Sequence, residues 1–237
     1  MPNKFSIVIP IFNEEFNIKI LVKEIFISLK EYEDEFNIIL VNDASTDNSL
    51  DVMTLLAKKY PKIIKIINNN NNLGQSFSLI EGIKSSIFKT IVTLDGDGQN
   101  NPKDIPILLT KYFLHDNLFL VGGIRKKRKD SSLKIISSKI ANGLRSRILK
   151  DDCSDTGCSL KVFDKEVFMT FPFFSGIHRF LPSLFKGYGK QTFFINVDHR
   201  YRIYGDSKYG TFGRLYHGIK DIIKVAKIIK NYKNKVS

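Results

Sequence analysis

Short apolar segments alternate with longer segments of helical pattern along the first half of the chain. Runs rich in isoleucine and valine, apolar at consecutive positions, predict strands buried on both faces; they are residues 5–11, 37–42, 63–67, 90–94 and 118–123. Segments of helix length separate them, at 16–31, 48–60, 75–86 and 103–114. This alternation predicts an α/β fold with a mostly parallel sheet and helices on both faces.

The second half of the chain has a less regular pattern. It predicts a strand at 158–163, a helix at 178–186 and a strand at 192–198. Two further segments, 131–150 and the tail 211–237, place apolar residues at helical spacing, with lysine and arginine on the rest of the wheel. Such basic amphipathic helices either lie on an anionic membrane surface or pack on the protein's own core. We divide the chain into a domain at 1–210, which includes the first of these helices, and the tail at 211–237.

Length and composition favour one main domain with a sizeable core, since the chain has 237 residues and 43% hydrophobic side chains. Cys153 and Cys158 are five residues apart, a spacing that matches neither a redox pair nor a zinc site, so we expect two reduced thiols. The first residues lack the pattern of a signal peptide, and no run reaches the roughly 18 apolar residues of a membrane span. We therefore expect a cytoplasmic protein, peripheral at the inner face of the membrane.

The net charge of +13 is unevenly distributed. Residues 125–150 contain ten lysines or arginines and one acid, residues 178–237 contain thirteen and three, and the remainder has an excess of acids. A nucleic-acid-binding protein would need a continuous basic face with exposed aromatic residues. Acidic strand ends would repel a phosphate backbone, so we expect no nucleic-acid partner.

Acidic and amide side chains follow several of the predicted strands, at the edge where ligands bind in parallel sheets. Asp95 and Asp97 follow the fourth strand, and two carboxylates this close repel each other unless a cation lies between them. Oxygen ligands favour Mg²⁺ or Mn²⁺, and Gln99 would add a neutral oxygen. The alternative is a solvated turn. Asp43, after the second strand, is a candidate to bind a nucleobase.

The chain contains no glycine-rich dinucleotide or P-loop motif, so a metal would have to neutralise bound phosphates. The motifs it does contain resemble glycosyltransferase family 2, most closely the dolichol-phosphate mannose synthase-like branch that acts on polyprenyl phosphates. They are IVIPIFNEE (7–15), VNDASTDNS (41–49), NLGQSFSLIEG (72–82), TLDGDGQNNPKDIP (93–106), RKKRKDS (125–131), DTGCSLKVF (155–163), GIHRFLPSL (176–184) and HRYRIYGDSKYG (199–210). The resemblance implies a GT-A fold, a nucleotide-sugar donor and Mg²⁺ or Mn²⁺.

The resemblance also assigns roles to individual positions. The donor-binding positions are Pro10, Phe12, Glu14, Asp43, Gln75, Asp95, Arg202, Ser207 and Lys208. The metal positions are Asp95, Asp97 and Gln99, and the acceptor-phosphate positions are Arg125, Arg128 and Arg200. The catalytic group consists of Asp97, Asp155, Arg125 and Arg128. His178 and Arg179 also match family motifs.

We expect an inverting, metal-dependent enzyme that moves a hexose such as mannose or glucose from a GDP- or UDP-sugar to dolichyl or undecaprenyl phosphate. A phosphomonoester is mostly anionic at neutral pH, so the acceptor needs arginines to place it rather than a strong base. The alternative is a family 2 enzyme that glycosylates a sugar hydroxyl of a cell-surface glycan or lipid, with Asp155 as the base. Asp155 would otherwise orient an arginine or a sugar hydroxyl. A membrane-protein partner or self-association would hold the enzyme at the membrane.

Overall fold

The computed structural model describes residues 3–32, 34–126, 143, 145–202, 204 and 211–236. Seven strands form one sheet in the order β3-β2-β1-β4-β6-β5-β7. The strands are β1 (Phe5–Ile11), β2 (Phe36–Asn42), β3 (Ile64–Asn68), β4 (Thr90–Thr93), β5 (Leu118–Arg125), β6 (Lys161–Asp164) and β7 (Gln191–Val197). β6 runs antiparallel to both of its neighbours, and all the other pairings are parallel.

Helices connect the strands and cover both faces of the sheet. They are α1 (Glu15–Ser28), α2 (Ser49–Lys59), α3 (Gln75–Ser85), α4 (Ile105–Phe113), α5 (Lys165–Met169), α6 (Leu181–Gly187) and α7 (Thr211–Val236). Short 3-10 turns lie at Lys30–Tyr32, Pro102–Asp104 and Ile177–Arg179. Residues 145–149 are also helical.

The two faces of the sheet form two separate cores, because successive side chains of a strand point to opposite sides. In β1, Ile7 and Ile9 pack with α1, α2 and α4, while Val8 packs with α3. The second core also contains buried residues of α6 and α7. α3 lies close to the sheet at Gly82, where a Cβ atom would stand 2.4 Å from Val8 Cγ1.

Each predicted strand and helix of the first half is present, with ends within three residues of the prediction. The sequence did not predict that β6 would run antiparallel. β5 ends at Arg125, and the loop before β6 lies at the same edge, since Asp155 hydrogen-bonds Arg125. The chain therefore enters β6 from the carboxyl edge of the sheet and must run back across it.

The described part of the tail helix α7 packs several of its apolar residues on the second core, while Ile223 is exposed. Ile222 and Val225 are buried, and a Cβ atom on Gly187 would stand 2.5 Å from Ile229 Cγ1. Tyr232 stacks on Tyr188 with ring centroids 3.7 Å apart. Of the two alternatives for the tail, packing on the protein's own core is what these buried residues adopt. Among the described residues, none of the helices has the length and apolar character needed to cross a bilayer.

Candidate active site

The carboxyl ends of β2, β1 and β4 meet at the centre of the sheet. Along the chain, β1 is followed by β2 and β3 on one side, and the chain then returns to place β4 on the other side. In open α/β sheets, ligands bind in the crevice at such a switch point. Asp43 follows β2 and Asp95 follows β4, so the topology brings these two predicted site residues to one edge.

Asp95 and Asp97 lie in a turn that needs glycine between and after them. A Cβ on Gly96 would stand 2.6 Å from Ile11 Cδ1, and Gly98 has a positive φ of 71°. Gln75, the first residue of α3, donates from Nε2 to Asp95 Oδ1 over 2.7 Å. Burial, followed by repulsion from Asp97, raises the pKa of Asp95 to about 6. The site therefore contains two carboxylates close enough for their negative charges to repel each other.

A divalent cation fits this pair. In the part of the chain that the structure describes, no group of three or more His, Cys, Asp or Glu side chains forms a metal cluster. Mg²⁺ is usually held by one or two carboxylates together with substrate phosphates, so two aspartates suffice. The donor set contains only oxygen, and a cation would relieve the repulsion that raises the pKa of Asp95.

Gln99, the third predicted metal ligand, joins the aspartate turn to the segment after β7. Its backbone N–H donates to Asp97 Oδ1 over 3.1 Å, and its side-chain Nε2 donates to the Arg200 carbonyl over 3.4 Å. The Arg200 N–H donates back to the Gln99 carbonyl over 2.9 Å. The amide nitrogen thus fixes the side chain, whose ligand role stays a prediction.

Asp43, the predicted nucleobase contact, organises the loop that precedes α3. Its two carboxylate oxygens accept hydrogen bonds from the backbone N–H groups of Leu73 and Gly74 over 2.9 and 2.8 Å. Asn69 Nδ2 donates to it over 3.2 Å. A buried carboxylate that receives backbone donors is satisfied without a ligand. The base contact stays a prediction.

Pro10 and Phe12, half-buried, form the end of β1 and the start of the next loop. Glu14, at the start of α1, accepts hydrogen bonds from Asn17 Nδ2 over 2.7 Å and from Arg202 Nη2. Arg202 also donates from Nε to the Tyr204 carbonyl over 2.9 Å. Two predicted donor-binding residues, Glu14 and Arg202, are thus paired with each other.

Arg125 and Asp155 form a bidentate pair at the same edge of the sheet. Arg125 Nε and Nη2 donate to the two carboxylate oxygens over 2.6 and 2.7 Å, and the Arg125 backbone N–H donates to Oδ2 over 3.2 Å. A Cβ on Gly157 would stand 2.9 Å from Arg125 Nη2, so only glycine leaves the guanidinium this position. Arg125 is close enough to Asp95 to lower the pKa of that carboxyl. Of the predicted roles for Asp155, orienting an arginine matches this geometry.

Arg200 is oriented toward α1. Its two terminal nitrogens each donate to a carboxylate oxygen of Glu24 over 2.8 Å, and Nη2 also donates to the Asn100 carbonyl over 3.1 Å. The hydrogen bond from Arg200 lowers the pKa of Glu24. Its predicted contact with the acceptor phosphate stays a prediction.

Three predicted site residues, Arg128, Ser207 and Lys208, lie outside the described residues, as does most of the helix predicted at 131–150. In the described part of that segment, the basic residue Arg145 is 3% exposed and paired with the buried Asp151, whereas Arg147 and Lys150 are exposed.

The sequence did not single out several polar residues near the site. Lys161, the first residue of β6, is 3% exposed and lowers the pKa of Asp95. Ser159 lowers it further through a hydrogen bond. The Ser76 hydroxyl accepts a hydrogen bond from the Gly176 N–H over 2.8 Å, and it also forms a hydrogen bond of 2.7 Å with His178 Nδ1. A lysine inside an apolar run was the one available signal.

Burial, followed by the charges of Arg179 and Lys161, lowers the pKa of His178 to about 3. The imidazole is therefore neutral near pH 7, and its Nδ1 is held by the hydrogen bond to the Ser76 hydroxyl.

The sequence matches the family model "Glycosyl transferase family 2" over residues 6–171. The chain therefore belongs to glycosyl transferase family 2, as its motifs predicted. It is 34% identical over 225 residues to dodecaprenyl-phosphate galacturonate synthase of Rhizobium johnstonii, covering 94% of this chain and 66% of that protein. It is 31% identical over 221 residues to undecaprenyl-phosphate 4-deoxy-4-formamido-L-arabinose transferase of Proteus mirabilis, covering 93% and 67%. The chain thus spans about two-thirds of the length of these relatives, which confirm the predicted resemblance to the polyprenyl-phosphate branch.

Solved structures confirm the GT-A fold. Glucosyl-3-phosphoglycerate synthase from Mycobacterium tuberculosis, in complex with Mn²⁺, UDP and phosphoglyceric acid, has a TM-score of 0.70 at 15% identity, covering 94% of this chain and 76% of that one. Mannosyl-3-phosphoglycerate synthase from Rubrobacter xylanophilus has a TM-score of 0.70 at 12% identity, covering 93% and 72%. At such identities the likeness establishes the fold alone.

Proposed function

We propose that this protein is an inverting glycosyltransferase that moves a sugar from a nucleotide-diphosphate donor to the phosphate of a polyprenyl phosphate. The family, and the two relatives whose names specify polyprenyl phosphates, support this reaction class. The predicted sugar is a hexose; the relatives' names add galacturonate and a 4-formamido arabinose as donors to screen. The predicted donor nucleotide is GDP or UDP.

One observation supports the proposal most. The Arg125–Asp155 pair lies at the edge of the sheet that also bears Asp95 and Asp97, near enough for Arg125 to lower the pKa of Asp95. A two-anion reaction needs both groups: oxygen ligands for a cation that neutralises the leaving diphosphate, and a guanidinium that places the attacking phosphate. A carboxylate that binds an arginine fixes the orientation of its planar guanidinium group, whose paired N–H donors match the spacing of phosphate oxygens.

Mg²⁺ or Mn²⁺, held by Asp95 and Asp97 with Gln99 beside them, would stabilise the negative charge that develops on the departing diphosphate. Gln75 keeps Asp95 in place by its hydrogen bond of 2.7 Å. Arg125 would orient the acceptor phosphate, with Arg128 and Arg200 as further candidates. The acceptor oxygen is already anionic at neutral pH, so no residue has to remove a proton from it.

Asp155 is poorly suited to be a general base in this arrangement. Both of its oxygens accept charge-assisted hydrogen bonds from Arg125, and these stabilise the ionised form and make it a weak proton acceptor. A hydroxyl acceptor would need that base, so the geometry favours the phosphate acceptor.

Polyprenyl phosphates reside in membranes, so we also propose that the enzyme works at the cytoplasmic face of a membrane. It would associate there with a membrane-protein partner or with a second copy of itself. Ile222 and Val225 of α7 are buried in core contacts, so we expect its exposed lysines, Lys220, Lys224, Lys227 and Lys230, to face anionic headgroups.

A transfer assay tests the proposal. The protein is incubated with labelled UDP- and GDP-sugars, undecaprenyl or dolichyl phosphate, and Mn²⁺ or EDTA. We expect an organic-extractable labelled lipid only when donor, lipid phosphate and divalent cation are all present. Transfer to a glycan or lipid hydroxyl, with none to polyprenyl phosphate, would contradict the proposal.

A further inference from the structure

Arg145 is buried against the loop that bears Asp155, residues 151–158, here called the Asp155 loop. Its guanidinium donates from Nε to Asp151 Oδ2 over 2.8 Å and from Nη2 to Asp151 Oδ1 over 3.2 Å. It also donates to the Cys153 carbonyl and, over 2.6 Å, to Thr156 Oγ1. One side chain thus contacts the start, the middle and the Asp155-adjacent part of the loop.

Asp151 is itself fixed from several directions. It is fully buried, it accepts from the Cys153 N–H over 3.2 Å, and Ser183 of α6 donates to it. The residues on either side, Lys150 and Asp152, have positive φ values of 52° and 53°, a conformation that costs energy for residues other than glycine. The buried pair holds the chain in this turn.

Lys161 binds the other side of the same loop. Its ammonium group donates to the Thr156 carbonyl over 3.4 Å and to the Cys158 carbonyl. Thr156 therefore receives a donor on its hydroxyl from Arg145 and a donor on its carbonyl from Lys161. Asp155 directly precedes Thr156, and its carboxylate accepts hydrogen bonds from Arg125.

Replacing a buried ion pair by apolar residues of similar volume is often neutral or stabilising. Stability alone therefore gives little reason for Arg145 and Asp151, whereas the loop they hold reaches the predicted acceptor site. We propose that Arg145 is a positioning residue: through Thr156 and Asp155 it sets the orientation in which the Arg125 guanidinium receives the acceptor phosphate. This rests on the proposed function for the identity of the ligand, though not for the orientation of Arg125.

Substitutions at Thr156 test the inference with little change in volume. Thr156→Val removes the hydroxyl that Arg145 contacts and keeps the Arg145–Asp151 pair, whereas Thr156→Ser keeps the hydroxyl. Ser6→Ala is the control for lost stability, because it breaks a buried hydrogen bond to Ser86 of 2.6 Å at the far end of β1. Arg145→Lys keeps the charge and loses the planar fork.

Two readouts are compared across these variants. The first is the KM for polyprenyl phosphate beside the KM for the nucleotide sugar. The second is the Nε–H signal of Arg125 in the ¹H–¹⁵N spectrum, assigned by its loss in Arg125→Lys. Loss of a hydrogen bond to a charged group shifts an equilibrium by roughly tenfold, so we expect Thr156→Val and Arg145→Lys to raise the acceptor KM by about that factor.

The donor KM should stay unchanged in those variants, and the Nε–H signal should move. Thr156→Ser should keep the acceptor KM and the Nε–H signal of Arg125 at their wild-type values. Ser6→Ala should lower Tm and leave both of these readouts unchanged. Unchanged acceptor KM and Nε–H signal in Thr156→Val would overturn the inference. If the wild-type protein makes no lipid-linked sugar, the proposed function fails, and the Nε–H signal alone still decides whether Arg145 positions Arg125.

Discussion

Asp95→Asn should stabilise the metal-free protein at neutral pH. The pKa of Asp95 is about 6 against an ordinary value of 3.8, because the carboxylate is desolvated and repelled by Asp97. The folded state therefore binds the proton more tightly than the unfolded chain, and ionisation above pH 6 works against folding. This penalty disappears as the pH falls below 3.8. Asparagine keeps the Oδ1 atom that accepts from Gln75.

The size of the effect follows from the shift. One pKa unit corresponds to about 1.4 kcal/mol, so the rise in the pKa of Asp95 sets an upper bound of about 3 kcal/mol on the penalty. Asp95 is only half-buried, so solvent screening reduces this to about 1–2 kcal/mol. For a chain of this length that corresponds to a rise in Tm of about 2–8 °C.

The assay is thermal unfolding in EDTA at pH 7.5 and pH 4.5, with Asp116→Asn, an exposed carboxylate far from the site, as the control. We expect the gain from Asp95→Asn to be large at pH 7.5 and less than half as large at pH 4.5. Added Mn²⁺ should raise the Tm of the wild type more than that of the variant, since a ligand stabilises only a state that binds it. Equal or lower Tm for Asp95→Asn than for wild type at pH 7.5 would refute the reasoning.

Two further substitutions separate roles within the site. Asp155→Asn should raise the acceptor KM by roughly tenfold with a modest change in kcat, because Arg125 loses a charged partner; a collapse of kcat with an unchanged acceptor KM would indicate a general base instead. His178→Gln removes an imidazole whose pKa lies near 3, below its ordinary 6.5. The folded state accepts only the neutral imidazole, so the contribution of His178 to folding stability is fully present above pH 6.5 and is lost as the pH falls toward 3. The stability gap between wild type and His178→Gln, measured by urea unfolding, should therefore narrow from pH 7.5 to pH 5.0, and a constant gap would contradict this.

The strands and helices of the first half could be predicted because each one buries a continuous apolar run or stripe. The same reasoning placed Asp43 and Asp95 at one edge, since the carboxyl ends of parallel strands converge. The direction of β6 had no such signal, because the residue types of a short strand do not show which way it runs in the sheet. It became clear only in the structure, where the Asp155 loop that precedes β6 lies at the carboxyl edge of the sheet.

The side-chain partners were less predictable than the backbone. Helical spacing placed Arg145 among the basic residues of the segment 131–150, but spacing reports only which residues share a face. The buried Asp151 that receives Arg145 follows the helix in the chain. Arg125 and Asp155 were both identified, and orienting an arginine was one role considered for Asp155, but a separation of thirty residues did not indicate which arginine it would pair with. The contact of Arg200 with Glu24 of α1 is more distant still, at 176 residues.

The central claim is that Asp95 and Asp97 hold a divalent cation against the donor diphosphate. A crystal structure with Mn²⁺ and a nucleotide diphosphate tests it most directly, because the anomalous signal of manganese locates the ion independently of the protein map. We expect a manganese peak bonded to oxygens of Asp95 or Asp97 and to the diphosphate, with Arg125 still hydrogen-bonded to Asp155. A peak bonded to the diphosphate and distant from both aspartates would contradict it.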